Sequence, residues 1–201
     1  MKILILSTCF GLAALGISSA QEMSHFAFSV GGGFTEPVYT TGQYVNTGWN
    51  VGGGFGANFN PYVGALIDLN YNSFGFNGTT LSDVGVSGGG FHIFSATLDP
   101  IVHLTPKSHV DLYVSGGGGL YHLIQTFSTP TAPAPVGSFP YLNYYNGVAT
   151  SYTANHLGFD GGVGVAFGSK WHGKFFAEAR FNRALGYRYT DYVPVTFGFR
   201  W

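Results

Sequence analysis

From residue 26 onward, hydrophobic and polar positions alternate with a period of two. Phe26, Phe28 and Val30 alternate with Ala27 and Ser29, and the odd positions from Trp49 to Phe59 alternate with glycine and asparagine. The clearest run has Val63, Ala65, Ile67, Leu69 and Tyr71 on one face, with Gly64, Leu66, Asp68, Asn70 and Asn72 on the other. Similar runs span about 90–104, 110–123, 157–167, 175–182 and 193–201. Successive side chains of a strand point to opposite faces. The pattern therefore predicts eight strands, each about the 9–11 residues that cross a bilayer when tilted. Within these runs Asp68, Asp99, Asp111, Asp160, Glu178, Arg180 and Arg200 all fall on one face. A barrel with apolar residues outside and polar residues inside predicts that parity. A water-soluble barrel with an apolar interior predicts the reverse.

The connections alternate in length. Those after the second, fourth and sixth runs are short. Those at about 35–48, 74–87 and 124–155 are long, and the last, 185–191, is modest. Short turns on one side and long loops on the other are the pattern of an outer-membrane barrel. Trp171, Tyr62 and Trp201 are expected in an aromatic girdle at the periplasmic end, and Trp49, Tyr71, Phe74 and Tyr192 in one at the outer end. The expected fold is an all-β, eight-stranded, antiparallel, up-and-down transmembrane barrel.

Composition narrows the reading. Only 8% of the 201 residues are charged, 45% are hydrophobic and 17% aromatic. A water-exposed surface of a domain this size needs far more charge, and disorder needs fewer apolar residues. The 8 Lys and Arg against 9 Asp and Glu exclude the basic surface that nucleic acid requires. Lys2, the apolar run 3–17 and the small residues Ser18-Ser19-Ala20 read as a signal peptide over 1–20, leaving a barrel domain over 21–201. Cleavage there removes Cys9, the one cysteine, and with it disulfide and thiolate chemistry.

Three segments are similar to one family. Ala65-Leu66-Ile67-Asp68-Leu69-Asn70-Tyr71 and Phe175-Phe176-Ala177-Glu178-Ala179-Arg180-Phe181 resemble strands of the OmpA/OmpX-like eight-stranded outer-membrane barrels. The end of the chain resembles their C-terminal assembly signal, with Val195, Phe197, Phe199 and the terminal Trp201 as its alternating apolar residues. The resemblance implies the bacterial outer membrane, contact with its lipid and lipopolysaccharide, and insertion by the barrel-assembly machinery. It implies no activity.

Candidate chemistry is sparse. Glu178, Arg180 and Asp160 are expected to form a polar plug in the lumen, with Asp68 and Asn70 across from them and Arg200 on the last strand nearer the periplasmic end. An unpaired charge in a poorly hydrated lumen is costly, so opposite charges there should pair. The loop 124–155 carries no charge, and its Tyr141, Tyr144, Tyr145 and Tyr152 are candidates for recognising an extracellular partner. The seven histidines are scattered, with no motif for nucleophilic catalysis and no spacing for a metal. No cofactor is expected, and the oligomeric state is left open. The sequence reading is a structural or surface-interaction protein without catalysis. The alternatives are a narrow pore for ions or small solutes and a lipid A-modifying enzyme.

Overall fold

Eight strands close on themselves into one antiparallel barrel. The computed structural model describes residues 26–128, 151–169 and 173–201, so the expected signal peptide 1–20 lies outside the described residues. The strands are β1 (Phe26–Pro37), β2 (Gly48–Asn58), β3 (Val63–Gly75), β4 (Gly89–His103), β5 (Val110–Phe127), β6 (Ser151–Ser169), β7 (Gly173–Ala184) and β8 (Thr190–Arg200). A short helix, α1 (Gly78–Val84), lies between β3 and β4. Each strand pairs with the next, and β1 closes the sheet on β8 from Ser29 opposite Arg200 to Pro37 opposite Tyr192. Closure leaves no strand edge unpaired, which is what a sheet immersed in lipid requires. No described helix is long and apolar enough to cross a membrane.

Sidedness follows the alternation. On β3, Ile67 and Leu69 point outward while Leu66 and Asp68 are buried. On β7, Phe175 is exposed and Phe176, Glu178, Arg180 and Asn182 are buried. The outward positions form an apolar band with no charge in it among the described residues. It runs from Val110 to Leu120 on β5, from Phe94 to Leu104 across the end of β4, and from Phe175 to Phe181 on β7. Polar groups bound it at the loop-rich end. His122 meets Asn155 at 2.6 Å, His92 meets Tyr71 and Ser73 at 2.9 and 3.1 Å, and Arg183 holds Asp191 at 2.6 Å.

The interior is filled by side chains, as expected for eight strands. Glycines make room for the largest of them. A Cβ on Gly158 would come within 2.6 Å of the Tyr121 ring, and one on Gly164 would collide with Tyr113. Two prolines interrupt the hydrogen-bond ladders because they bring no N–H. Pairing between β4 and β5 lapses at Asp99 and Pro100, and pairing between β7 and β8 lapses opposite Pro194, at Arg180 and Phe181.

The loop-rich end differs from the sequence expectation. The strands run farther than the alternation indicates: β5 continues to Phe127 and β6 begins at Ser151, so the connection expected over 124–155 is shorter. Tyr152 is therefore a strand residue opposite Gln125, not a loop residue. Tyr141, Tyr144, Tyr145 and Trp171 lie outside the described residues. Phe74 and Tyr192 are not girdle residues. Both are buried in the lumen, their rings 6.0 Å apart, while Trp49 packs on Tyr71 on the outer wall at 5.3 Å. The cause is that lumen positions become apolar near this mouth, so the two faces of the strands no longer differ in polarity.

A cap closes this mouth. Asn77 accepts from Thr80 N–H at 2.8 Å to start α1, and Gly85 ends it with φ 72°. The β1–β2 connection is tied to it: Val45 bridges Phe76, and Asn77 donates to the carbonyl of Gln43 at 2.7 Å. Val84 and Val86 complete an apolar cluster with Phe74, Phe91, Tyr121, Leu123 and Tyr192.

The sidedness has a direct test. Ile67→Arg, in the middle of the outward band, should cost about 2–4 kcal/mol, whereas His92→Arg at its border should cost about 0–1 kcal/mol. Equilibrium urea unfolding in lipid vesicles measures both.

Candidate functional site

The centre of the lumen holds one guanidinium among four carboxylates. Arg180 reaches inward from β7. Its Nε donates to Glu178 Oε1 at 2.8 Å, and its Nη2 lies 2.6 Å from the same oxygen and 3.2 Å from Asp68 Oδ2. Its Nη1 lies 3.4 Å from Asp160 Oδ1 and makes a close ion pair with Asp99. These carboxylates come from β3, β4, β6 and β7, so one side chain ties together strands on opposite walls. All five residues are buried. Second contacts fix the acids: Asn70 donates to Asp68 at 2.5 Å and Thr97 to Asp99 at 2.9 Å.

Glu178, Arg180, Asp160, Asp68 and Asn70 thus stand together. Asp99 completes the cluster; parity places it on the inward face, but no local signal in the sequence gives its height. Arg200 stands apart. Its guanidinium lies over the rings of Tyr113 and Phe176, at 4.6 and 5.3 Å, and forms no ion pair with the four acids. Ring faces attract cations, and β8 ends at Arg200, which leaves it nearer the periplasmic mouth than Arg180.

The lumen is layered along its axis. Toward the periplasmic end, Ala27, Leu66, Ile101, Tyr113, Ala166 and Phe176 form an apolar layer. Beyond it Asp111 binds both His103, at 2.8 Å, and Lys174, at 3.1 Å. At the other end lies the capped apolar cluster. Beside Asp68, Glu178 and Arg180, and reaching Phe176 and Arg200 at the lower layer, a cavity of about 30 Å³ remains. That holds water, not a solute.

No described histidine contacts both a serine and a carboxylate. His92 meets Ser73 and Tyr71, His122 meets Asn155, and His103 meets Asp111. No described group of three or more His, Cys, Asp or Glu side chains is placed to hold a metal ion. Val195, Phe197 and Phe199 line the outer face of β8. The Phe199 ring stands between Phe175, at 5.3 Å, and Trp201, at 5.8 Å, forming an aromatic row at the periplasmic rim.

No protein-family model matches the sequence, and no curated protein does. Solved structures match. Neisserial surface protein A has a TM-score of 0.58 at 12% identity, over 88% of this chain and 96% of that one. OprG of Pseudomonas aeruginosa has a TM-score of 0.52 at 15% identity, over 91% of this chain and 99% of that one. This is the eight-stranded outer-membrane barrel fold. The likeness is one of fold, and within that fold the lumen of this chain is organised by Arg180.

One guanidinium serving four carboxyl groups makes the two kinds of substitution unequal. Arg180→Ala leaves buried carboxylates without a cation and should cost about 3–5 kcal/mol. Glu178→Gln leaves three carboxylates on Arg180 and should cost less than about 1 kcal/mol by the same reasoning. Unfolding in detergent micelles, followed by tryptophan fluorescence, distinguishes them.

Proposed function

We propose that the protein is a resident of the bacterial outer membrane with a structural or surface-interaction role and no catalytic activity. It spans the membrane as a closed barrel, not as an open pore. The observation that carries this reading is the layering of the lumen: the Arg180 cluster lies between two apolar layers, and α1 caps the outer mouth. An ion crossing it must displace Arg180 from four carboxylates and leave water in two apolar layers, and desolvating an ion is costly. The fold and the charge-free outward band support membrane residence. The aromatic, alternating end of β8 suits recognition by the insertion machinery. The outer connections, including the uncharged one between β5 and β6, are the surfaces open to an extracellular partner.

Three measurements test the proposal. The protein should shift in mobility on a denaturing gel when boiled, the signature of a folded barrel. In planar bilayers it should insert without steady conductance. Stable unitary current steps from the unmodified protein would overturn the closed-barrel reading in favour of the narrow pore. Altered lipid A mass spectra in cells expressing the protein would overturn the non-catalytic reading.

A further inference from the structure

Gln125 is a polar residue in an apolar place. On the inward face of β5 it stands between Leu123 and Phe127, and it lies opposite Phe91 of β4. All three neighbours are buried, and so is Gln125, which is 5% exposed. Its Oε1 has no hydrogen-bond partner among the described residues. An acceptor withdrawn from water without a partner is costly. Packing does not repay that cost, because a leucine at this position would complete the apolar layer without it.

A cleft at the loop-rich mouth leads to this side chain. It lies between the β1–β2 and β7–β8 connections and is lined by Thr41, Tyr44, Phe76, Phe91, Gln125 and Tyr189. Tyr189 is exposed and marks its rim; Phe76, Phe91 and Gln125 are buried and mark its floor. Its volume is about 30 Å³, room for about two or three non-hydrogen atoms. Unlike the cavity beside Arg180, it has mainly apolar walls. A water molecule needs two to four polar partners to be held. A narrow apolar cleft ending on one unpartnered amide suits the tip of a side chain that carries its own donors. It is also the arrangement of a recognition site, in which apolar walls bury the guest and a few polar groups orient it.

We propose that this cleft receives the side-chain carboxamide of a glutamine on an extracellular peptide segment. The proposal rests on the surface-interaction reading above and names the chemistry of the partner. A carboxamide carries one acceptor and two donors, so a second carboxamide can meet that of Gln125 through a pair of N–H···O hydrogen bonds. Glutamine presents its amide at the end of two methylenes. The amide and this slender stem enter the cleft while the peptide backbone stays at the rim beside Tyr189. A sugar brings a ring too wide for the space, and a carboxylate would have to shed its water among apolar walls.

The test uses the mature chain folded in phosphatidylcholine nanodiscs, with saturation-transfer NMR to three capped tripeptides, acetyl-Gly-X-Gly-amide, in which X is Gln, Glu or Leu. The Gln peptide should receive at least fivefold more saturation at its central side chain than the other two. Gln125→Leu should abolish that preference and should keep or raise the midpoint of urea unfolding. Equal transfer to the three peptides, transfer favouring Glu, a preference that survives Gln125→Leu, or a lowered midpoint in that variant would overturn the proposal. Boiling-dependent gel mobility on the same samples separates two failures. A folded barrel that binds none of the peptides overturns this proposal and leaves the membrane reading standing, whereas a protein whose mobility does not change on boiling overturns the membrane reading itself.

Discussion

The interior of this barrel is built around the pairing of Arg180 with Asp68, Asp99, Asp160 and Glu178. A guanidinium offers five donors in a fixed plane and stays charged under all biological conditions. It can therefore meet carboxylates from several directions at once, which a lysine ammonium on a flexible stem does less well. Because the acids arrive from four strands, the pairing acts across the lumen and not only along one ladder. Inward positions elsewhere adapt to it: Asn70 and Thr97 serve the acids, and apolar layers lie above and below them.

Those layers explain why charge is so scarce elsewhere. A barrel in lipid places its apolar residues outside, which leaves the lumen as the place for polar groups. Here even the lumen is apolar at two levels, so the polar groups are gathered into a short central segment and a few contacts at the periplasmic mouth. The two proline positions fall at this central level. Asp99 precedes Pro100, and Arg180 faces Pro194, so the wall loses ladder bonds where the interior ion pairs are strongest. The ion cluster does not bridge those gaps, since its members come from β3, β4, β6 and β7, but it binds the strands on the intact side of each.

What the sequence conveyed and what it withheld follow from the same geometry. The period of two is a property of each strand alone, so the eight strands and the inward face of Asp68, Asp160, Glu178 and Arg180 were legible from local pattern. Height in the barrel is not local, because it depends on the register between neighbouring strands. Asp99 and Arg200 share the inward face with the other charges, yet register brings Asp99 to Arg180 and leaves Arg200 over Tyr113 and Phe176. The outer strand ends were illegible for a second reason. Where Phe74, Phe91, Leu123 and Tyr192 fill the mouth, inward residues are as apolar as outward ones, and alternation carries no information. Tyr152 was read as loop because the outward positions beside it, Ser151, Thr153 and Asn155, are polar and break the apolar alternation of β6.

The apolar band is not of even height around the wall. It is tall on β5, from Val110 to Leu120, and short on β7, where it ends between Phe175 and Phe181 with Arg183 just above. A bilayer of uniform thickness cannot match both sides. The barrel must lean toward its short side, or the membrane must thin locally against β7 and β8, and either response has a modest energy per ångström of mismatch. Lipids beside that wall would be compressed relative to those on the far side, giving the molecule a preferred orientation among its neighbours in the plane of the membrane.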